Sequence, residues 1–246
     1  MQENIFLDKV ADSYLTATSP ISKWNIDSYI LIYKQYLHNA EGKGLELGCS
    51  SGYSTVCLSQ LLYSLDVVDG SKRMLDNLSD SIKEIKNVNY IYSLFEELNF
   101  QENYDYIFCS YVLEHVQNPS EILDVCYRAL KPGGKLFITV PNANALSRQM
   151  ALEMGIIKDL YGLTENDLAH GHRRVYDLNI LHELIEKTSF HLISSGGTFL
   201  KPFADFQLNQ MIHQQIINET QLEGMQLLAK RYPEISGSIY AILEKV

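Results

Sequence analysis

The sequence is poor in positive charge, with 20 lysines and arginines against 30 aspartates and glutamates and a formal net charge of −10. Because nucleic-acid backbones are bound through clustered Lys and Arg, this balance argues against nucleic acid as a partner. No apolar run approaches the ~20 residues of a membrane span, so we expect no membrane partner. The N-terminus lacks the basic-then-apolar order of a signal peptide, and we therefore expect a cytoplasmic protein.

Paired cysteine motifs are also missing. The chain has four cysteines, and none forms a CxxC pair. Three of them fall in predicted buried strands or helices, so reduced core thiols are the expected state. Internal repeats and low-complexity tracts are absent as well. With 246 residues and 46% hydrophobic side chains, the chain is long enough to bury a substantial core in one domain with additional segments.

Predicted strands and helices alternate through the middle of the chain. The strand-like runs are residues 44–49, 64–70, 87–93, 103–112 and 135–141. The helical segments are residues 52–63, 71–85 and 118–130. This alternation with short links predicts a parallel sheet with helices on both faces. Ligands in such folds bind beyond the carboxyl ends of the strands, so the residues that follow each strand are candidate site residues.

The rest of the chain is predicted to form additions to one domain over residues 1–246. Residues 1–40 are expected to form an N-terminal helical cover that is interrupted at "TSPIS". Residues 142–175 are expected to form a lid, and residues 200–235 a helical insertion. A helix at 177–190, a strand in "HLISSGG" and a final strand in "GSIYAILEKV" complete the prediction.

The turn in "LELGCSSGYST", residues 45–55, has an incomplete glycine fingerprint. Gly48 and Gly52 are present, but Ser50 and Tyr53 stand where a dinucleotide site has its second and third glycines. Side chains at these two positions crowd the approach of a pyrophosphate and of the following helix. NAD and FAD are therefore disfavoured, and with them a nicotinamide oxidoreductase. No GK[ST] follows the turn, which excludes a P-loop.

An acidic residue follows the second strand. Asp69 lies 23 residues after Glu46, near the roughly 20-residue offset of the ribose-binding acid in nucleotide folds. A carboxylate there accepts both hydroxyls of a ribose 2′,3′-diol. A close turn and a ribose-binding acid, without room for a pyrophosphate, fit S-adenosylmethionine. Two structural alternatives stay open: Asp69 could cap the next helix, and Glu46 could be paired within the protein.

Four stretches, "LELGCSSG", "VVDGSKRML", "YDYIFCSYVLEHVQNP" and "LKPGGKLFITVPN", resemble the successive motifs of class I S-adenosylmethionine-dependent methyltransferases. The resemblance covers about residues 40–145, with the blocks in order. It implies a Rossmann-like α/β fold, in which a mostly parallel seven-stranded sheet carries helices on both faces and ends in an antiparallel strand. It also implies methylation of a small-molecule acceptor on oxygen or nitrogen. The alternative is a non-catalytic S-adenosylmethionine-binding regulatory protein, which the unusual stretch "SLFEEL" motivates.

The resemblance also implies which residues contact the cofactor. Glu46 would order the turn and meet the methionine amino group, Asp69 would hold the ribose, and Gly70 would leave room beside the adenine. In "SLFEEL", Leu94 stands where the family has an acid that reads the adenine, so a neighbouring residue would take over that contact. The full predicted cofactor set is Glu46, Gly48, Cys49, Ser50, Gly52, Asp69, Gly70, Ser93, Phe95, Glu96, Ser110 and Tyr111.

Two histidines are the candidate catalytic residues. Methyl transfer needs alignment above all, and a general base only where the acceptor keeps its proton. His115, in "LEHV", follows the fourth strand near the predicted methyl group, although a packing role is an alternative. His172, in "AHGHRRVYD", is expected to face the acceptor. The adjacent pair Arg173 and Arg174 could clamp an acidic acceptor or line a solvated loop.

Neither a metal site nor a definite oligomeric state is predicted. Some quinone-biosynthesis relatives of the family bind a metal through an E-x-x-E-H pattern after the fourth strand. Tyr111 occupies the first position of that pattern here, so one ligand is missing and we expect no metal. The sequence is compatible with a homodimer but does not establish one.

Overall fold

The computed structural model describes Leu7, residues 19–37 and residues 42–246. The strands are β1 (Lys43–Leu47), β2 (Ser64–Asp69), β3 (Val88–Tyr92), β4 (Tyr104–Ser110), β5 (Leu130–Pro141), β6 (Phe190–Phe199) and β7 (Ser238–Lys245). The helices are α1 (Pro20–Tyr33), α2 (Tyr53–Ser59), α3 (Lys72–Ser81), α4 (Pro119–Ala129), α5 (Leu146–Glu153), α6 (Glu165–Ala169), α7 (Leu178–Ile185), α8 (Asp205–His213) and α9 (Glu219–Arg231). Most of the predicted N-terminal cover, residues 1–18 apart from Leu7, lies outside the described residues.

The strands form a seven-stranded sheet in the order β3-β2-β1-β4-β5-β7-β6. Neighbours from β3 to β5 are parallel, whereas β7 runs antiparallel to both β5 and β6. The prediction of a mostly parallel sheet with an antiparallel last strand is therefore confirmed. The sequence order changes direction at β1, whose neighbours are β2 and β4, and a crevice opens at such a switch point in α/β sheets.

Strand β5 begins earlier than predicted. The "KPGG" stretch was expected to be a turn before a strand at residue 135, but β5 already begins at Leu130. Tyr104 of β4 pairs with Leu130, and Tyr106 pairs with Lys135, so the extra residues form a bulge. Gly133 lies within this bulge with φ 74°, a left-handed conformation that glycine adopts at little cost.

The sheet is covered on both faces, and each face has its own core. One core packs β-strand residues against α4 and α7, with Leu123 and Leu181 fully buried. The other packs them against α1, α2 and α3, with Tyr33 and Leu58 at its centre. Three cysteines are buried, and all four are free thiols, as predicted.

The N-terminal ends of α1 and α4 follow the sequence signals only in part. Ser19 caps α1 by accepting a hydrogen bond from the Ser22 N–H at 3.2 Å, which confirms a helix boundary at "TSPIS". Pro119 begins α4, as predicted from its preference for the first turn. The Asn118 side chain, however, makes no capping hydrogen bond, so the cap expected there is wrong in detail.

Two of the predicted additions contain helices joined by irregular chain. The 142–175 segment carries α5 and α6, and the 200–235 segment carries α8, α9 and a short 3-10 helix at Pro233–Ile235. The second segment packs on α1 through a small apolar core that includes Ile21, Phe199 and Leu208. Among the described residues, no helix is both long enough and apolar enough to cross a membrane.

Candidate active site

The turn after β1 is held in an unusual backbone conformation. Gly48 and Gly52 have φ of 78° and 82°, and Ser50 between them has φ 42°. The Gly48 N–H donates to the Val68 carbonyl oxygen at 2.8 Å, and the Gly52 N–H donates to the Cys49 carbonyl oxygen at 2.8 Å. A non-glycine residue such as Ser50 in the left-handed region is strained, and such strain is concentrated at functional sites.

Glu46, in β1, is hydrogen-bonded to the helix that follows the turn. Its carboxylate is buried at 3% exposure and accepts hydrogen bonds from the Ser54 hydroxyl at 2.5 Å and the Thr55 hydroxyl at 2.6 Å. Burial raises the pKa of Glu46 to about 7, an effect that the two hydroxyl donors and the nearby Asp69 modify. The structural alternative raised from the sequence therefore holds, because Glu46 is paired within the protein. Its carboxylate does not line the cavity described below.

Asp69 connects the end of β2 to both neighbouring turns. Its Oδ2 atom accepts a hydrogen bond from the Cys49 N–H at 3.1 Å, and its Oδ1 atom accepts one from the Ser71 N–H at 2.8 Å. The cap of α3 is Ser71, whose hydroxyl oxygen accepts from the Met74 N–H. Asp69 is thus not the N-cap of α3, and its carboxylate lies at the cavity wall.

The end of β4 supplies two more predicted residues. The Ser110 and Tyr33 hydroxyls lie 2.9 Å apart, and the Tyr33 hydroxyl also contacts the Thr139 hydroxyl at 2.6 Å. Tyr111 has φ 57°, and its N–H donates to the Thr139 carbonyl oxygen at 2.7 Å. Its hydroxyl lies 2.8 Å from that of Ser238 on β7. These contacts hold Ser110 and Tyr111 beneath the opening above the sheet.

A cavity of about 490 Å³ lies beyond the carboxyl ends of the parallel strands. It is bounded by the turn after β1, the ends of β2 and β4, α1, and the 142–175 and 200–235 segments. Both predicted catalytic histidines and most of the predicted cofactor set lie in its wall. The predicted residues that line it are Gly48, Ser50, Asp69, Gly70, Phe95, Ser110, Tyr111, His115 and His172.

Five predicted cofactor residues are placed behind this wall rather than in it. Cys49 is fully buried, and its thiol lies 3.4 Å from Asp69 Oδ2. Gly52 caps α2 below the turn, and Ser93 donates its hydroxyl to the Leu94 carbonyl oxygen. The sequence predicted the turn but not which of its atoms face the cavity. The direction of those atoms depends on the left-handed conformations of Gly48, Ser50 and Gly52. The five are Glu46, Cys49, Gly52, Ser93 and Glu96.

Three ionisable side chains, those of Glu114, His115 and His172, come together in the cavity wall. The rings of His115 and His172 lie edge to face, with their centroids 4.8 Å apart. Burial, with His172 close by, lowers the pKa of His115 to about 4. Glu114 is 1% exposed, and burial raises its pKa to about 8 against the opposing effect of Arg174. Neither carboxylate oxygen of Glu114 has a hydrogen-bond partner among the described residues.

Asp167 is the residue that sequence reasoning missed. Its Oδ1 atom lies 3.2 Å from Nδ1 of His172, although the ring is not aligned for a regular hydrogen bond. Its Oδ2 atom accepts from the Thr164 N–H and hydroxyl and from Arg148 Nη1. Burial raises the pKa of Asp167, but His172, Thr164 and Arg148 outweigh it and hold that pKa well below its usual range. The T-x-x-D spacing of Thr164 and Asp167 is a capping-box signal, but it does not reveal a histidine contact.

The arginine pair does not reach into the cavity as a clamp. Arg174 donates through Nη1 to the carbonyl oxygens of Leu113 and Val116, and through Nη2 to that of Gln117. Arg173 donates through Nε to the His115 carbonyl oxygen at 2.7 Å. Both guanidinium groups are thus used to join the 142–175 segment to the loop after β4. These contacts favour a structural role for the arginine pair over the clamp on an acidic acceptor.

A family model described as a methyltransferase domain matches residues 26–195. The ubiquinone biosynthesis O-methyltransferase of Idiomarina loihiensis is 25% identical over 171 residues, which are 68% of this chain and 69% of that protein. Its mitochondrial counterpart from Rattus norvegicus is 28% identical over 170 residues, 67% of this chain and 48% of that protein.

The fold also matches solved methyltransferase structures. N-methyltransferase NodS from Bradyrhizobium japonicum WM9, in complex with S-adenosyl-L-homocysteine, superposes with a TM-score of 0.59. The match has 14% sequence identity and covers 97% of each chain. At this identity the likeness concerns the fold.

Proposed function

Because this chain belongs to the class I S-adenosylmethionine-dependent methyltransferases, we propose that it methylates a small-molecule acceptor on oxygen. It is an enzyme whose cofactor is S-adenosylmethionine. The regulatory protein raised as an alternative from "SLFEEL" has no support in the family match. Oxygen as the accepting atom is favoured by the O-methyltransferases among the relatives of this chain.

One observation carries the proposal. The cavity beyond the strand ends has two unlike walls, one with the predicted cofactor residues and one with Glu114, His115 and His172. Asp69 and the turn around Gly48 form the first wall, where a carboxylate and close backbone suit a ribose and a methionine moiety. Such an arrangement would bring a cofactor and an acceptor together in one cavity, which direct methyl transfer requires.

The residues present fit S-adenosylmethionine. The cofactor supplies, when bound, an electrophilic methyl carbon on a sulfonium sulfur. Gly48 shapes the turn through its φ of 78°, a left-handed conformation that glycine adopts at little cost. Asp69 would accept hydrogen bonds from the ribose hydroxyls while its own backbone donors keep it in place. Ser110 and Tyr111 would lie beneath the sulfur, held by Tyr33 and Ser238.

The chain's remaining task is to align the acceptor and exclude water. Glu114, His115 and His172 would contact the accepting group, and the 142–175 segment would cover it. Alignment of this kind can contribute on the order of 7–11 kcal/mol to a bimolecular step. Arg174 anchors the segment on the loop after β4. Within the segment, Arg148 donates to the Leu160 and Gly162 carbonyl oxygens and holds its two ends of irregular chain together.

The proposal is tested by following a labelled methyl group. Purified protein is incubated with S-adenosylmethionine carrying an isotopic label in its methyl group and with matched sets of hydroxyl, amine and carboxylic acid acceptors. We expect label in an ether product from a hydroxyl acceptor, identified by mass spectrometry. Label found only in methylamines or methyl esters would overturn oxygen as the accepting atom.

A further inference from the structure

The buried carboxyl of Glu114 has no partner in the described protein, and this is the most unusual feature of the cavity wall. Both oxygens are buried and unpaired, whereas most buried polar atoms in proteins are hydrogen-bonded. A buried carboxylate without a partner costs several kcal/mol unless it is protonated or meets a cation. Arg174 does not fill this role, because its Nη atoms donate to main-chain carbonyl oxygens.

Two imidazoles lie beside this carboxyl. Glu114, His115 and His172 can each offer one ligand atom, and these atoms all lie within 4.8 Å of one another. Metal–nitrogen and metal–oxygen bonds are about 2.0–2.2 Å long, so donors in a tetrahedral site lie about 3.3–3.6 Å apart. Side-chain rotations would therefore have to bring the three donors closer together to meet a single ion.

Asp167 lies beside the ring of His172, where metal-binding histidines commonly have a supporting carboxylate. In such sites the carboxylate accepts the N–H of the ring nitrogen that does not bind the metal, which fixes the tautomer and the ring orientation. Asp167 Oδ1 lies 3.2 Å from Nδ1 of His172 without a regular hydrogen bond, so a rotation of the ring would be needed to align this contact and present Nε2 to an ion. Asp167 is itself held by Thr164 and Arg148, so the support is rigid.

We infer that Glu114, His115 and His172 form a binding site for one divalent transition-metal ion, with His172 of the 142–175 segment as the third ligand. The sequence predicted no metal because Tyr111 removes one ligand of the E-x-x-E-H pattern. The fold supplies a different donor, His172, which lies 58 residues after Glu114 in the sequence. The hydrogen bond from Arg173 Nε to the His115 carbonyl oxygen joins this part of the chain to the loop after β4. Two imidazoles and one carboxylate suit Zn²⁺, Co²⁺ or Fe²⁺ better than Mg²⁺, which prefers oxygen ligands.

A role for this ion in methyl transfer rests on the proposed function. Three protein ligands leave at least one position open for an outside oxygen. An acceptor hydroxyl bound there would lose its proton to solvent more readily, because a bound cation lowers the pKa of a coordinated oxygen. The resulting oxygen lone pair would then face the cofactor side of the same cavity. In this arrangement the two histidines act as ligands rather than as free bases.

The site is tested by direct metal binding. Full-length protein without an affinity tag is treated with a chelator, dialysed, and titrated with CoCl₂ in a calorimeter and in a visible-absorption cell. We expect one Co²⁺ per chain, absorption bands of low-symmetry Co²⁺, and displacement by Zn²⁺ but not by excess Mg²⁺. No heat or bands, or displacement by Mg²⁺, would overturn the inference.

Variants connect the binding to the three ligands. Glu114→Gln and His172→Ala should each weaken Co²⁺ binding by at least about tenfold, and Asp167→Asn by about tenfold to a hundredfold as a supporting carboxylate. His191→Ala and Glu121→Gln remove an exposed histidine and an exposed acid and should leave Co²⁺ affinity unchanged. Equal Co²⁺ affinity in Glu114→Gln, His172→Ala and wild type would place the metal elsewhere.

S-Adenosylhomocysteine affinity separates the two proposals. All variants should bind S-adenosylhomocysteine as tightly as wild type, which shows that the fold and the cofactor wall are intact. Co²⁺ binding lost in a variant that still binds S-adenosylhomocysteine supports the metal site. Wild-type protein that binds Co²⁺ at these residues but methylates no hydroxyl acceptor retains the metal site and loses the proposed O-methylation.

Discussion

The Oδ2 atom of Asp69 accepts a hydrogen bond from the main-chain N–H of Cys49 at 3.1 Å, which ties the end of β2 to the turn after β1. The other oxygen accepts from the Ser71 N–H at 2.8 Å. The carboxylate is therefore fixed before any ligand arrives, and its orientation carries no further entropy cost on binding. A carboxylate fixed in this way is suited to accept hydrogen bonds from a ribose.

Replacement of Asp69 by alanine should weaken S-adenosylhomocysteine binding by about tenfold to a hundredfold. The reason is the loss of charge-assisted hydrogen bonds to the ribose, each worth about 1.5–3 kcal/mol. Calorimetric titration measures the affinity. Asp76→Ala removes an exposed acid whose partner is Lys72 on the same helix and should leave the affinity unchanged. Unchanged affinity in Asp69→Ala would remove the ribose role.

Binding of S-adenosylhomocysteine should depend on pH through Glu46. Burial raises the pKa of Glu46 to about 7, so the carboxyl is largely protonated at pH 6 in the free protein. Glu46 does not line the cavity, but a cationic amino group bound at the turn after β1 would favour its carboxylate through space, so binding should release a proton below pH 7. Affinity should therefore rise between pH 6 and pH 7, by at most about tenfold per pH unit, and level off above.

Glu46→Gln is the matched control for that pH dependence. Glutamine keeps the shape and can still accept from Ser54 or Thr55, but it does not titrate. Its affinity for S-adenosylhomocysteine should vary much less from pH 6 to pH 8. Proton release is measured by calorimetry in buffers of different ionisation enthalpy. The same pH profile in wild type and Glu46→Gln would assign the dependence to another group.

Two glycines should respond to alanine in opposite directions. Gly52 has φ 82°, and a Cβ there would stand 2.5 Å from Leu78 Cδ1, so Gly52→Ala should lower the free energy of unfolding by about 1–3 kcal/mol. Gly224 lies within α9 with open space around it, so Gly224→Ala should raise that free energy by up to about 1 kcal/mol. Chemical denaturation measures both, and equal effects would contradict the left-handed assignment at Gly52.

Arg174 should hold the 142–175 segment against the loop after β4. Arg174→Ala leaves the carbonyl oxygens of Leu113, Val116 and Gln117 without their donor and should cost about 1–3 kcal/mol of unfolding free energy. Hydrogen exchange should speed up in residues 113–117 and 142–175 and not in the central strands. Arg128→Ala, at an exposed position on α4, should change neither quantity. A uniform increase of exchange over the whole chain would speak against a local anchoring role.

The sequence predicted the sheet well because its strands carry local signals. Strand runs bounded by turn residues identify β1 to β5, and the acid after β2 follows from its position alone. Parallel strands bring their carboxyl ends to one edge of the sheet. The sequence alone therefore predicts that Asp69, Ser110 and the turn at Gly48 are neighbours.

The acceptor wall could not be predicted in the same way. His172 meets His115 because the 142–175 segment docks on the loop after β4, where Arg173 and Arg174 donate to main-chain oxygens. That docking depends on side-chain contacts with main-chain oxygens, which have no periodic signature. The sequence "LEHV" also does not reveal that the Glu114 carboxyl is buried without a hydrogen-bond partner, because this depends on how the cavity wall packs.

The most direct test of the account is a crystal structure of the protein with S-adenosyl-L-homocysteine bound. The account predicts that the ribose hydroxyls donate to Asp69, that the sulfur lies over Ser110 and Tyr111, and that it faces Glu114, His115 and His172 across the cavity. A ligand bound outside this cavity, or a sulfur turned away from those three residues, would contradict it.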